Sequence, residues 1–286
     1  MQKIYLSIIT INYNNAEGLK KTLASVVAQT YNNIEHIIVD GGSKDGSIEV
    51  IKDYVVEVEQ MNVSAKEGIR VIWSSEPDNG IYNAMNKGIK RAIGEYIQIL
   101  NSGDCLASND VVERMLDALR DNKYPDILYG NMVKMDSDGK VIGKSTYTEY
   151  SLRQFYSSTL NHDCAYIKKC LFDKYGYYDE TLKIVSDWKW YLQAIGLGYV
   201  KPVYFDIDVT HFDASGISEK NLALRNKERR MVLESVMPPA ILWDYDQHAF
   251  DAEQMNRLRR WHLYKMVWFV ERCLRRLEVM LKKKNA

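Results

Sequence analysis

With 286 residues, 46% hydrophobic and 27% charged, the chain is long enough for one large α/β domain with an appendage, or for two small domains. Five Pro and 16 Gly exclude a linker-rich or disordered protein. The formal net charge of zero hides an acidic body and a basic tail: Met255 to Lys284 holds ten Lys/Arg against two Asp/Glu, a net +8, which leaves −8 for the remainder.

The chain opens on Ile4-Tyr5-Leu6-Ser7-Ile8-Ile9, a strand-like run that is too short and lacks the basic start of a signal peptide. Strand-like runs follow at 34–39, 69–73, 95–100 and 126–134, the first spanning 4–11. Helical patterns at about 16–28, 46–60, 80–92 and 108–122 lie between them. That alternation predicts βαβ units and a mostly parallel central sheet with helices on both faces. From 137 to 215 it weakens, and aromatic residues from Tyr147 to Tyr191 cluster there. A helix from Asp187 to about Ile195 is predicted. From 219 onward the pattern is helical, interrupted at Pro238-Pro239.

Four strands run into polar turns: Asn12-Tyr13-Asn14-Asn15, Asp40-Gly41-Gly42-Ser43, Glu76-Pro77-Asp78-Asn79-Gly80 and Asn101-Ser102-Gly103-Asp104. If the strands are parallel, these turns share one sheet edge, and ligands of open α/β sheets bind there. Asp104, beyond Ile97-Gln98-Ile99-Leu100, would project into that crevice. Its carboxylate suits Mg²⁺ or Mn²⁺ shared with the phosphates of a nucleotide. It also reads as a cap for the helix near Val111. The chain has no G-x-G-x-x-G after the first strand and no G-x-x-x-x-G-K-S/T, so neither a Rossmann dinucleotide site nor a P-loop is expected. Cys105, Cys164, Cys170 and Cys273 form no C-x-x-C pair and match no zinc spacing. They read as thiols of a reducing compartment.

The ordered motifs resemble a family 2 glycosyltransferase with the GT-A fold, of the bacterial polysaccharide-biosynthesis type. They are Ser7 through Asn14, Ser25-Val26-Val27-Ala28-Gln29-Thr30-Tyr31, Ile38 through Ser47, Glu76 through Ile89, and Gly94 through Asp104. The resemblance covers about residues 4–215. It implies a glycosyltransferase domain over 1–215, with a nucleotide-binding half to about 105 and an acceptor half from 106. A C-terminal helical extension would occupy 216–286. The resemblance further implies a nucleotide pocket of Thr10, Asn12, Tyr13, Asp40, Asp78 and Gly103. Asp104 resembles the last acid of the family's metal motif, although Asn101 and Gly103 stand where Asp is frequent. His211 falls near a late metal ligand. Asp187, in Ser186-Asp187-Trp188-Lys189-Trp190, resembles the base that faces the acceptor; its other reading is an acid at a helix N-terminus. His162, Trp188 and Trp190 are the acceptor-side candidates.

The expected partners are a nucleotide-sugar donor, most plausibly a UDP-sugar, and a glycan or polyprenyl-linked saccharide acceptor, with no nucleic acid and the oligomeric state open. In the tail, Leu263, Met266, Val267, Val270, Cys273, Leu274, Leu277 and Leu281 recur at three- and four-residue steps beside Lys265, Arg272, Arg275, Arg276, Lys282 and Lys283. With Trp261 and Trp268 this reads as a basic amphipathic helix for an anionic membrane surface, or as a helix packed on protein. No apolar run reaches the ~18 residues of a spanning helix. The expected location is cytoplasmic, peripheral on the membrane's inner face. Two other readings fit less of the chain. A sugar nucleotidyltransferase would need a Gly-rich basic loop after the first strand. A non-catalytic binding subunit draws on the reduced acid motif at 101–104.

Overall fold

The computed structural model describes residues 6–63, 68–136, 138–146, 148–213, 221–260, 266–272 and 274–275. The first strand, β1 (Leu6–Asn12), is buried along its whole length, as a strand covered on both faces must be. It lies parallel to β2 (Ile34–Asp40) on one side and to β4 (Tyr96–Ile99) on the other, and β3 (Arg70–Ser75) extends the parallel half beyond β2. Connections run through α1 (Ala16–Val27), α2 (Ser47–Asn62) and α3 (Ile81–Arg91). Asn15 caps α1, its side chain accepting from the Gly18 amide at 3.2 Å.

The other half is mixed. Beyond β4 come β8 (Ala165–Lys168), antiparallel, then β6 (Ile127–Met135), β9 (Val203–Asp213) and the two-residue β5 (Cys105–Leu106). β7 (Val141–Ser145) folds back on β6 as a hairpin. The result is an α/β fold with a curled central sheet and flanking helices. The predicted strand at 126–134 is β6, but it joins the sheet through antiparallel β8 rather than by a fifth parallel step. β8 has four residues and β9 carries Asp206 and Asp208 among its apolar residues, which is why the 137–215 region gave no clear strand signal.

Helices α4 (Val111–Asp121), α5 (Leu152–Ser157) and α6 (Cys170–Tyr175) follow the sheet strands. The predicted helix at Asp187 is α7 (Ser186–Tyr191), continued by one π-helical turn, Leu192–Gly196. α8 (Leu222–Val236) and α9 (Pro239–Arg260) meet at the proline pair, with Pro239 opening α9 where its missing N–H costs nothing. The chain forms two compact units, Met1–Val232 and Leu233–Ala286. Among the described residues no helix is long and apolar enough to cross a membrane. Much of the predicted basic tail helix, including Trp261, Leu263, Lys265, Cys273, Arg276, Leu277, Leu281, Lys282 and Lys283, lies outside the described residues, as does Tyr147.

Two buried polar side chains inside the parallel half, Glu35 and His36, are matched by partners from neighbouring elements. Glu35, fully buried, accepts from Ser7 Oγ at 2.6 Å and from the Ile93 amide at 2.9 Å. His36 bridges Thr10 and Tyr54, and burial pushes it down to about 3, so it stays neutral. Strand and helix approach most closely where α3 crosses β1: a Cβ on Gly88 would stand 2.4 Å from Ile9 Cγ2. Ile9 is buried and β-branched, so it cannot swing aside. Gly88→Ala is therefore expected to destabilise the protein by about 1–3 kcal/mol, read as a lower urea midpoint with unchanged slope.

Candidate active site

The parallel register sets Asn12 beside Asp40 and Asp40 beside Ser75, so the first three turns emerge together. The fourth joins them through backbone bonds from Leu100 to Ile9 (2.9 Å) and from Ser102 to Ile11 (3.1 Å). A cavity of about 1340 Å³ opens at this edge, with Asn12, Tyr13, Asp78, Asp104, His162 and Asp187 on its wall.

Asp40 organises this edge from underneath. It is fully buried and is not on the cavity wall. Its carboxylate accepts from Ser43 Oγ (2.5 Å), Ser75 Oγ (2.6 Å), Asn12 Nδ2 (2.8 Å) and the amides of Ser43 (2.9 Å) and Gly42 (3.1 Å). Burial works to raise its pKa, but the bonds from Ser43, Ser75 and Asn12 prevail and hold it below the ordinary carboxylate range. Thr10 is likewise interior, spent on His36. Gly103 turns its amide away, donating to Thr22 Oγ1 at 2.9 Å, while its φ of +108° lets the chain reverse before Asp104. These positions correct the predicted pocket: Thr10, Asp40 and Gly103 shape it from behind, whereas Asn12, Tyr13 and Asp78 face it. Gly41 is what admits Asp78, since a Cβ there would lie 2.6 Å from Asp78 Oδ2.

Across the cavity stands Asp187, with a side chain 14% exposed. Tyr82 Oη donates to its Oδ1 at 2.9 Å, and His162 Nδ1 meets its Oδ2 at 3.2 Å. His162 Nε2 in turn lies 3.0 Å from Asn101 Nδ2. With the Asn101 amide donating to Nε2, the imidazole proton sits on Nδ1 and points at Asp187. Burial pushes Asp187 up, but His162 and then Tyr82 outweigh it, and the carboxyl rests below its usual range. Burial pulls His162 down, yet Asp187, Asp163 and Asp104 together hold it above the ordinary imidazole value. One side chain thus links the turn at 101–104 to the carboxylate at 187, 86 positions further along the chain from Asn101. Sequence reasoning gave no role to Tyr82 or to the Asn101 bridge, although both lie in the quoted motifs.

The two acceptor-side tryptophans are placed differently. Trp190 is 2% exposed, stacks on Phe172 with centroids 4.7 Å apart, and spends its indole N–H on Gly176 O. It is off the cavity wall. Trp188 is 1% exposed and donates to Phe155 O at 2.6 Å, so it supports the wall from within.

Among the described residues no three His, Cys, Asp or Glu side chains converge to hold an ion. The wall does offer hard oxygen: the Asp104 carboxylate, and Asn101 Oδ1, which is buried without a partner. Mg²⁺ or Mn²⁺ is commonly held by one or two protein oxygens plus phosphate, and this donor set fits that pattern. His211 pairs in register with Cys105, one residue from Asp104, but it is not on the cavity wall.

Residues 7–176 match the model of glycosyl transferase family 2. An uncharacterized glycosyltransferase of Mycobacterium tuberculosis is 32% identical over 216 residues, 74% of this chain and 76% of its own length. A PGL/p-HBAD biosynthesis glycosyltransferase of Mycobacterium bovis is 23% identical over 210 residues, 73% of this chain and 77% of that protein. Among solved structures, Staphylococcus aureus TarS with UDP-GlcNAc superposes with a TM-score of 0.59 at 19% identity, over 77% of this chain and 61% of that one. A Pyrobaculum calidifontis mannosyltransferase with GDP-Man and Mn²⁺ gives 0.53 at 16% identity, over 79% and 60%. The chain therefore spans less than two thirds of these solved chains, and at such identity the likeness shows the shared fold.

Replacing His162 by Phe removes the donor on Asp187 Oδ2 and leaves burial opposed only by Tyr82 and the Trp188 backbone amide. The Asp187 carboxyl is then expected to titrate above the ordinary carboxylate range, where in the parent it titrates below, a reversal visible in its side-chain ¹³C shift.

Proposed function

Because the chain belongs to glycosyl transferase family 2 and is on that ground a glycosyltransferase, we propose that it moves one sugar, with inversion, from a UDP-sugar to a hydroxyl of a saccharide or lipid-linked saccharide acceptor. One observation carries this reading: the Asp187 carboxylate and the turn at 101–104 line one cavity and are spaced by a single imidazole. The donor pocket would be Asn12, Tyr13 and Asp78, on the turns that Asp40 holds in place. Asp104 and Asn101 would hold a divalent cation against the donor's diphosphate, with His211 near enough in register to assist. That ion, when bound, offsets charge on the departing diphosphate. TarS was solved with UDP-GlcNAc and the mannosyltransferase with GDP-Man and Mn²⁺, which supports this choice of ligands.

The step is a single displacement. The acceptor oxygen bonds to the anomeric carbon as the bond from that carbon to the diphosphate oxygen breaks, and the electron pair leaves with the diphosphate. The acceptor proton passes to Asp187. A base for this task must be ionised before it acts. Asp187 meets that need, since the donors on both its oxygens keep it charged despite its burial. Tyr82 and His162 also fix its orientation, and a hydroxyl must come within hydrogen-bond reach of it. The setting we infer is bacterial surface polysaccharide assembly.

Incubated with a panel of UDP-sugars, Mn²⁺ and saccharide acceptors, the protein should release UDP. Asp187→Asn should lower that turnover by about 10²–10⁴-fold while leaving UDP affinity intact. Asp104→Ala should instead weaken UDP binding only when Mn²⁺ is present. UDP binding with no turnover for any donor and acceptor would favour a non-catalytic role.

We place the basic tail on an anionic membrane surface. Among its described residues Trp268, Phe269 and Leu274 are exposed, and Arg272 lies over the Trp268 ring at 5.2 Å. Co-sedimentation with anionic vesicles that fades with salt is expected, each basic residue contributing roughly 1 kcal/mol. Equal binding by a chain ending at Gln254 would exclude it.

A further inference from the structure

Helix α8 carries Arg225 and Arg229 one turn apart, and both face the cavity beside the loop that leads into Asp187. Glu228 ties the helix to that loop. Its buried carboxylate accepts from the amides of Lys183 (2.8 Å) and Ile184 (2.9 Å). The acid nearest the two arginines on their own helix is therefore committed to backbone. Among the described residues neither guanidinium makes an ion pair or donates a hydrogen bond, and the Nε of each is buried without a partner. Arg229 lies over Trp188, the residue after Asp187, with its guanidinium carbon 5.1 Å from the ring centroid. Stacking on the ring face leaves the donor edge of the fork unspent.

This arrangement works against the fold. Two like charges sit side by side, and their buried donors lack acceptors. Burial, then Arg225, holds Arg229 below the ordinary guanidinium range, with Asp187 opposing that shift from a distance too long for an ion pair. Structural arginines usually find a carboxylate or a carbonyl. Two forks on a cavity wall with no carboxylate within ion-pair reach are matched by a tetrahedral oxyanion, which offers several acceptors to each. Position separates this pair from the donor's diphosphate. The turn at 101–104 lies on the far side of His162 from Asp187, whereas Arg229 stacks on the residue that follows Asp187.

We propose that Arg225 and Arg229 form a subsite for a phosphate group carried by the acceptor, on the Asp187 side of the cleft. The assignment to the acceptor rests on the proposed function above. The subsite would fix the acceptor by its charge and leave its hydroxyl to Asp187. It also restricts acceptors to phosphorylated ones, such as a saccharide attached through a phosphate or diphosphate linkage.

The test uses the full chain with ¹⁵N-labelled arginine, titrated with inorganic phosphate in saturating UDP and Mn²⁺. The Nε–H resonances of Arg225 and Arg229 are identified by their loss in Arg225→Lys and Arg229→Lys. Both should shift together and saturably. Arg225→Gln with Arg229→Gln should weaken phosphate binding by about tenfold or more and leave UDP affinity unchanged. The Lys variants, which keep the charge and the stem, should retain the parent melting temperature and part of the affinity. Absence of a saturable shift at either resonance overturns the subsite. UDP alone moving both resonances and excluding phosphate overturns its assignment to the acceptor and gives the arginines to the donor. A chain that binds phosphate at these arginines but never binds UDP keeps the subsite and refutes the glycosyltransferase site.

Discussion

A carboxylate taken out of water must be compensated, and at Asp187 the compensation is drawn from three distant parts of the chain. Tyr82 comes from the first turn of α3, His162 from the approach to β8, and Asn101, behind His162, from the turn after β4. Stripped of these donors the carboxylate would either protonate or draw in water, since desolvation of an ionised carboxyl costs several kcal/mol. Each donor also fixes an element. Tyr82 sets α3 against α7, and His162 sets β8's entrance against the turn at 101–104. The geometry around Asp187 and the joining of the mixed half of the sheet to its parallel half thus share one hydrogen-bonded chain.

The two carboxylates that matter most are handled in opposite ways. Asp40 is surrounded by five donors from its own turn and its strand neighbours, and it spends its charge on holding Asn12, Ser43 and Ser75 in place. Asp187 receives one side-chain donor per oxygen and stands on the cavity wall. Each of its oxygens keeps acceptor capacity for a further partner. A saturated acid builds a site, whereas an acid with capacity left can take a proton. Electrostatics across the cavity follow the same division. Asp78 and Asp104 bring negative charge to the turn edge of the cavity, while Arg225 and Arg229 bring positive charge beside the loop into Asp187.

The parallel half was legible in the sequence because its strands are apolar throughout and each ends in a polar turn. Asn12, Asp78, Asp104 and Asp187 were readable as cavity residues for the same reason, being acids and amides at element ends. What the sequence concealed was direction. Asp40 and Asp104 both terminate a strand-turn motif, yet the two-glycine turn at 41–42 folds Asp40 inward. Trp188 and Trp190 flank Asp187 in sequence, but Trp188 at i+1 is turned to another face and Trp190 at i+3 is drawn onto Phe172 and Gly176 O, so both indoles enter the core. Arg225 and Arg229 were invisible for a different reason. On a helix rich in Lys, Arg and Glu, two arginines four apart look like a solvated face until Glu228 is seen to pin that face to the Asp187 loop.

Asn101, where an acid is frequent in the family, follows from the same hydrogen-bonded chain. An aspartate at 101 would only accept, so the proton of His162 would have to sit on Nε2. Nδ1 could then donate to Asp187 only if the imidazole also carried a positive charge. It would add a fourth negative charge around His162, beside Asp104, Asp163 and Asp187, which already hold the imidazole above its ordinary pKa. The amide removes both constraints. Its N–H serves Nε2, the neutral imidazole still donates to Asp187, and its oxygen has no protein partner. An amide at this turn therefore gives a defined proton position to His162, the residue that orients Asp187.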